Sequence, residues 1–186
     1  MWTHWCRCGA FIAFEIPERI RELIAKALLG AGAKYGIKII PQENMHITIG
    51  FLGEISEESA SEVSGIMASV NAAKFNAAFG KISTFGSHSS VAFMGMDIGD
   101  KEAIAMHGLL YGKLSRLSSI KLENSKFFPH MSVARGLSKN LNAFAAGMQK
   151  DWARSETFTI GKLALKKSVL GAANARYETI FEKELS

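Results

Sequence analysis

Residues 44–53 read Asn44-Met45-His46-Ile47-Thr48-Ile49-Gly50-Phe51-Leu52-Gly53, and residues 128–135 repeat the central pattern as Phe128-Pro129-His130-Met131-Ser132-Val133-Ala134-Arg135. Each segment has a histidine followed two positions later by a hydroxyl residue. Successive side chains of a strand point to opposite faces. His46 and Thr48 are therefore predicted to share one face, as are His130 and Ser132, while their apolar neighbours face the core. The copies lie near the centres of the two halves of the chain, which suggests a duplicated unit whose two strands meet.

Two imidazoles and two hydroxyls across a cleft are suited to a phosphate group. Hydroxyls donate hydrogen bonds to non-bridging oxygens, and imidazoles accept and release protons. Because the unperturbed pKa of histidine is about 6.5, one ring can be neutral and the other protonated near neutral pH. One ring can then deprotonate an attacking water while the other protonates the leaving alkoxide, a division of labour that needs no metal. A lone His-x-Thr is a common coincidence, whereas two copies in matching contexts favour a function.

The composition favours one folded domain with a polyanionic partner. The 186 residues are 48% hydrophobic and carry a formal net charge of +5, and a chain of this length buries a core without disulfides. Basic charge suits a nucleic acid without proving that one binds. Cys6 and Cys8 give no disulfide framework, and no apolar run is long enough for a membrane span or a signal peptide. We expect a cytoplasmic monomer with no membrane partner.

Apolar periodicity predicts helices interspersed among strands. Besides the two histidine strands, strands are predicted at 9–16, 36–41, 75–85, 91–98, 157–165 and 177–181, and helices after Pro17, after Ser56, from Asp100 and after Ser138. Ser56 or Ser59 is expected to cap the second helix and Ser138 the last. Leu109 is expected on the buried side of the third helix, and a change of apolar parity at Gly161 suggests a bulge. This order indicates an α+β fold with mainly antiparallel sheets.

The remaining histidines and the cysteines are not favoured as functional residues. Residues 1–8 are expected to form an extension before a single domain at 9–186. His4, Cys6 and Cys8 match no standard zinc spacing, so we predict no metal site. His88 is expected in an exposed turn, and His107 beside the buried face of its helix.

The two motifs resemble those of the two-histidine (2H) phosphoesterases, and within them the RNA 2′,3′-cyclic phosphodiesterase or 2′-5′ RNA ligase family. The family pattern Pro-x-x-Asn-x-His-x-Thr-x-x-Phe-Leu-Gly is matched by Pro41, Asn44, His46, Thr48, Phe51, Leu52 and Gly53, and the pattern Pro-His-x-Thr/Ser-x-x-Arg by Pro129, His130, Ser132 and Arg135. The resemblance runs from residue 9 onward and includes an Arg-Tyr pair, Arg176 and Tyr177, before the last strand. Gly9 stands where the family's first strand carries an arginine.

The resemblance implies a fold, an activity and a set of site residues. The fold would be two pseudo-symmetric lobes, each a small, mainly antiparallel sheet with outer helices, around a central cleft. The activity would be hydrolysis of RNA 2′,3′-cyclic phosphate ends to a 2′-phosphate without a metal or cofactor, with reverse 2′-5′ ligation as a second reaction. His46 would be the proton donor and His130 the proton acceptor, with the substrate phosphate bound by Thr48, Ser132, Arg135 and Tyr177. The expected partners are RNAs with cyclic phosphate ends, such as tRNA-derived ones, or small cyclic nucleotides.

Two other functional classes fit parts of the pattern. A non-catalytic module can hold a nucleotide or RNA end in the same cleft, although binding alone does not need two titratable rings. A metal-dependent phosphodiesterase needs clustered carboxylates, and Glu43 and Glu54 are the only acids next to the motifs in the sequence. Phe51 and Phe128 flank the motifs and are expected either to stack on a base or to belong to the core.

Overall fold

A computed structural model describes residues 9–86, 89–122, 126–150, 152, 154–169 and 176–186. The strands are β1 Ala10–Phe14, β2 Lys38–Ile39, β3 Ile47–Gly53, β4 Phe75–Phe85, β5 Ser89–Ile98, β6 His130–Leu137, β7 Phe158–Ile160, β8 Lys162–Val169 and β9 Arg176–Glu184. The helices are α1 Glu18–Ala27, α2 Ala31–Tyr35, α3 Glu57–Ala68, α4 Asp100–Leu114 and α5 Ser138–Met148. The expected extension at 1–8, with His4, Cys6 and Cys8, lies outside the described residues, as does His88.

The strands form one antiparallel sheet that curls on itself. The strand order is β7-β4-β5-β6-β3-β1-β8-β9, and β2 pairs with β6. Gly161 alone separates β7 from β8, yet these strands stand near opposite ends of that order. The sheet must therefore curl until its two ends approach each other.

The curled sheet has two lobes that meet at the histidine strands. The first lobe comprises β3, β1, β8 and β9, and the second comprises β6, β5, β4 and β7. They are joined by a β3–β6 ladder with one registered pair, Ile47 and Met131. Going outward from the joint, each lobe presents a histidine strand and then three further strands. The expected α+β fold with two lobes is thus confirmed, although the lobes share one continuous sheet.

Helices cover one face of the sheet and enclose the core. A single hydrophobic cluster includes both joint residues together with Ile24 of α1, Met67 of α3, Leu110 of α4 and Phe144 of α5. α5 packs on β4, β5 and β6, and α3 packs on β9 and α4. α3 begins as predicted, with the side chain of Ser56 accepting a hydrogen bond from the Ser59 amide. The opposite face of the sheet is left for the histidines.

Three local predictions are wrong. At Gly161 the chain changes its strand-pairing partner and does not form a bulge, because Ile160 pairs with β4 whereas the strand after Gly161 pairs with β1 and β9. Ser138 is the first residue of α5 and does not cap it; its hydroxyl lies 2.7 Å from that of Ser90. Leu109 is 42% exposed, because the buried stripe of α4 runs through Ala103, Met106, Leu110 and Leu114.

A further element was not predicted. The helix predicted after Pro17 ends at Ala27. Gly30, with φ +80°, begins the short helix α2. A positive φ costs glycine little, so the chain can change direction there.

Candidate active site

The two His-x-hydroxyl pairs lie on the sheet face opposite the described helices. His46 immediately precedes β3, and His130 opens β6. Their neighbours point the other way: Met45 is 1% exposed, and Ile47 and Met131 are fully buried. Thr48 and Ser132 are half-buried on the histidine face, opposite Ala13 and Phe93 on the neighbouring strands. Strand alternation therefore produces the arrangement predicted from the sequence.

Two register shifts bring one more residue of each motif to this face. The shift beside Ala13 leaves Ile49 and Gly50 both buried, so that Phe51 faces the cleft opposite Phe11. The shift beside Phe93 leaves Val133 and Ala134 both buried, and Arg135 then faces the cleft opposite Val91. An extra residue in one strand reverses the alternation beyond it. Phe51 and Arg135, which each follow the histidine and the hydroxyl residue of a motif on this face, thereby occupy equivalent register positions in the two lobes.

His130 is held by its own backbone and by aromatic rings. Its Nδ1–H donates a hydrogen bond to the carbonyl of Phe128 at 2.7 Å. A carbonyl only accepts, so the neutral ring carries its proton on Nδ1 and keeps the Nε2 lone pair free to act as a base. The Phe85 and Phe93 rings meet it edge-on at 5.1 and 5.2 Å. Desolvation lowers the pKa of His130, and the bond to Phe128 partly offsets this effect.

His46 makes the corresponding hydrogen bond, to the backbone of Asn44. Its ring stacks on Phe11 with centroids 4.8 Å apart, and Tyr177 meets it edge-on at 5.2 Å. Desolvation, followed by the positive charge of Lys166, lowers the pKa of His46 to about 4. The charges of His130 and Arg135 act in the same direction, so both motifs contribute to one electrostatic site.

Sequence reasoning missed several residues of this site. Phe11, Phe85 and Phe93 form the aromatic walls around the two histidines, and Lys166 with Glu15 supplies a buried ion pair with a 2.6 Å separation. One signal was available for Lys166. By strand alternation it lies on the same face of β8 as Ala164, opposite the face that carries Leu163 and Leu165. The signal is a lysine within an apolar strand, on a face that was not predicted to be exposed.

The exposed aromatic residues are not part of the core. Phe51 is 52% exposed, Phe128 51% and Phe85 43%. Phe51 lies 6.0 Å from Phe11, and Phe128 lies 6.1 Å from the His130 ring. His107, by contrast, belongs to a separate stack on α4 with Phe127 and Tyr111. Of the two alternatives for Phe51 and Phe128, the one that assigned them to the core is therefore wrong.

The arrangement is suited to acid–base chemistry on a bound phosphate. It combines two imidazoles of fixed orientation, two hydroxyl donors and a guanidinium on one face of the sheet. Among the described residues, no group of three or more His, Cys, Asp or Glu side chains is placed to hold a metal ion. No described helix is both long and apolar enough to cross a membrane.

Comparison with known proteins identifies the family of this chain. The family model described as LigT like phosphoesterase matches residues 14–92, which include the first histidine motif. An RNA 2′,3′-cyclic phosphodiesterase of Methanocaldococcus jannaschii is 31% identical over 125 residues, covering 67% of this chain and 69% of that protein. The chain belongs to the LigT-like phosphoesterases.

Other LigT-like phosphoesterases agree in name and fold. An RNA 2′,3′-cyclic phosphodiesterase of Archaeoglobus fulgidus is 27% identical over 131 residues, covering 70% of this chain and 73% of that protein. The apo crystal structure of Escherichia coli LigT has a TM-score of 0.79 at 19% identity, covering 96% of this chain and 98% of that one. A structure of the same protein complexed with 3′-AMP has a TM-score of 0.77. The two-lobed fold is thus that of a known phosphoesterase.

Proposed function

We propose that this LigT-like phosphoesterase hydrolyses RNA 2′,3′-cyclic phosphate ends to 2′-phosphates without a metal. The observation that carries the proposal is the matched pair of histidines on one face, each hydrogen-bonded to the carbonyl two residues before it and each followed by a hydroxyl residue. The names of the relatives supply the substrate class.

The proposed reaction uses each histidine once. Nε2 of His130 takes a proton from water, and the resulting hydroxide attacks the phosphorus of the cyclic phosphate. The P–O3′ bond breaks, and protonated His46 gives its proton to the departing O3′, which leaves the phosphate on O2′. The assignment of His46 as donor and His130 as acceptor follows the family resemblance. One turnover transfers one proton at each ring, so their protonation states must then be reset through solvent.

The remaining polar residues bind the phosphate in this proposal. The hydroxyls of Thr48 and Ser132 donate to the non-bridging oxygens, whose negative charge grows in the transition state. Arg135 adds a cation from the same face, and Tyr177 packs against His46 with its hydroxyl available to the phosphate. Exposed Phe51 and Phe128 offer surfaces on which bases can stack.

The deciding experiment is incubation of the protein with an RNA oligomer ending in a 2′,3′-cyclic phosphate, in EDTA, with identification of the product isomer. We expect the 2′-phosphate. Because a positioned acid or base typically contributes about a hundredfold to ten-thousandfold in rate, His46→Ala and His130→Ala should each lower turnover by at least about a hundredfold. His107→Gln is the matched control, since its ring lies in a different stack, and it should keep near-normal turnover.

The same experiment tests the other functional classes. Binding of the intact oligomer without conversion would favour a nucleotide- or RNA-end-binding module. Conversion that EDTA abolishes would show that a metal takes part. A 3′-phosphate product would overturn the assignment of O3′ as the leaving group.

Joining of two RNA ends through a 2′-5′ bond, the reverse of cleavage of such a bond, is a second candidate activity, because an alcohol can replace water as the nucleophile. If an RNA 5′-hydroxyl takes the place of water, His130 deprotonates it and His46 again protonates O3′, which yields a 2′-5′ linkage without ATP. Incubating a cyclic-phosphate oligomer with a 5′-hydroxyl oligomer should give a joined product that is lost in both histidine variants. Absence of joining at high oligomer concentration would exclude this activity while leaving hydrolysis intact.

A further inference from the structure

A buried lysine pairs with a half-buried glutamate on the cleft side of the first lobe. Lys166 of β8 is 9% exposed, and its Nζ lies 2.6 Å from Oε1 of Glu15, just beyond the end of β1. Placing a lysine ammonium in such an environment costs free energy unless it is paired. Glu15 therefore serves as the anchor that holds the Lys166 charge in place.

The register of the sheet places this pair beside His46. Lys166 is directly opposite Phe11 across the β1–β8 ladder, and the ring of Phe11 stacks on His46. Side chains directly opposite each other in an antiparallel pair have Cβ atoms about 5 Å apart on the same face. Lys166 and His46 are thus both neighbours of Phe11.

The second lobe has a different residue at the equivalent place. In the first lobe, Lys166 pairs with Phe11, which pairs with Phe51. In the second lobe, Phe85 pairs with Val91, which pairs with Arg135. Since Phe51 and Arg135 are equivalent, Lys166 corresponds to Phe85. His46 therefore has an anchored cation where His130 has an aromatic ring.

We propose that Lys166, anchored by Glu15, is a positioning residue that weakens the binding of a proton to His46 and so sets the pH range in which the two histidines share one proton. This inference rests on the proposed function, in which turnover needs one proton on the pair of rings. A fixed positive charge disfavours the protonated imidazole. At a given pH His46 is therefore protonated in fewer molecules, and each protonated ring releases its proton to O3′ more readily.

Other charged and polar groups also face His46. His130 and Arg135 face it from β6, Tyr177 faces it from β9, and the 3₁₀ turn contributes the Asn44 backbone. Lys166 acts on the proton affinity of His46 more strongly than His130 or Arg135 does. The Glu15 carboxylate opposes this effect, but the charge of Lys166 outweighs it at His46. In the proposed function Arg135 binds the substrate phosphate. The negative charge of the phosphate therefore offsets the charge of Arg135 more directly than it offsets the charge of Lys166.

The test is an NMR titration of His46 in the free protein, with its signal assigned by comparison with His46→Ala. Lys166→Met should raise the proton affinity of His46 about three- to tenfold. Because that variant leaves Glu15 buried without its partner, Glu15→Gln/Lys166→Met is the second variant, and it should still raise the affinity. Lys167→Met is the matched control: Lys167 is the next residue, exposed on the other face of β8, and its loss should leave the midpoint unchanged.

The activity readout is the pH dependence of kcat/KM on a cyclic-phosphate oligomer. With two coupled histidines the optimum lies midway between their apparent pKa values, so a rise at His46 moves the optimum to higher pH. An unchanged His46 midpoint in the folded double variant would overturn the inference. A raised KM with an unchanged optimum would also overturn it and would make Lys166 a phosphate ligand. If the wild-type protein converts no cyclic phosphate, the proposed function fails, while the titration still decides whether Lys166 controls His46.

Discussion

His46 and His130 make the same backbone hydrogen bond in different surroundings. The bond follows from local geometry, since each ring reaches back to the residue two positions earlier. The surroundings come from other strands, with Phe11 and Tyr177 at His46 and Phe85 and Phe93 at His130. The sequence therefore predicted which rings share a face, but it did not predict their proton affinities, because the groups that change those affinities are distant in the chain.

The lowered pKa values of both histidines predict an optimum for kcat/KM on the acid side of pH 6.5. The productive enzyme holds one proton between the two rings, so activity falls when both lose their protons and when both gain them. Burial lowers both pKa values, that of His46 to about 4, and this moves the whole profile below the usual histidine value. A profile of kcat/KM against pH checks this, and an optimum above neutrality would contradict it.

At the scale of elements, the predictions succeeded where one periodicity governs a segment. The strands β4 and β5 and the cap of α3 were predicted from local patterns alone. The predictions failed where a segment pairs with a strand that is distant in the chain. At Gly161 the pairing partner of the chain changes from β4 to β1. The two register shifts in β3 and β6 follow from strand pairing that no local pattern reveals.

Two glycines at α4 should respond oppositely to alanine. Gly99 precedes the helix with φ +84°, and a Cβ there would lie 2.5 Å from the Asn76 carbonyl oxygen. Gly99→Ala should therefore lower the free energy of unfolding by about 1–3 kcal/mol. Gly108, inside the helix, has open space around it, and Gly108→Ala should raise that free energy by about 0.5–1 kcal/mol. Denaturant unfolding measures both, and changes of the same sign would refute the comparison.

At the scale of the whole molecule, the lobes do not correspond to halves of the sequence. The first lobe combines β1 and β3 with β8 and β9, and the intervening strands build the second lobe. The repeated His-x-hydroxyl motif correctly indicated two related units that meet. It could not show that their strands interleave, because hydrophobic alternation identifies the buried face of a strand and not the strand beside it.

The net charge of +5 predicts that salt weakens turnover of RNA more than turnover of a small substrate. Phosphates neutralised by the protein release counterions, so kcat/KM for an oligomer should fall linearly with salt on a log–log scale, more steeply for longer oligomers. A cyclic mononucleotide is the comparison substrate and should show a shallower slope. Equal slopes for both would show that the protein contacts only the terminal nucleotide.

The interleaving of the lobes also determines when the molecule can fold during synthesis. β1 is buried along its whole length, and it lies between β3 and β8. A nascent chain that has not yet exposed residue 169 to solvent carries β1 with one open hydrogen-bonding edge, although both histidines have already been made. The ribosome thus releases the two histidine motifs well before the strand that completes the first of their lobes, and a prematurely terminated chain would contain both motifs without a complete first lobe.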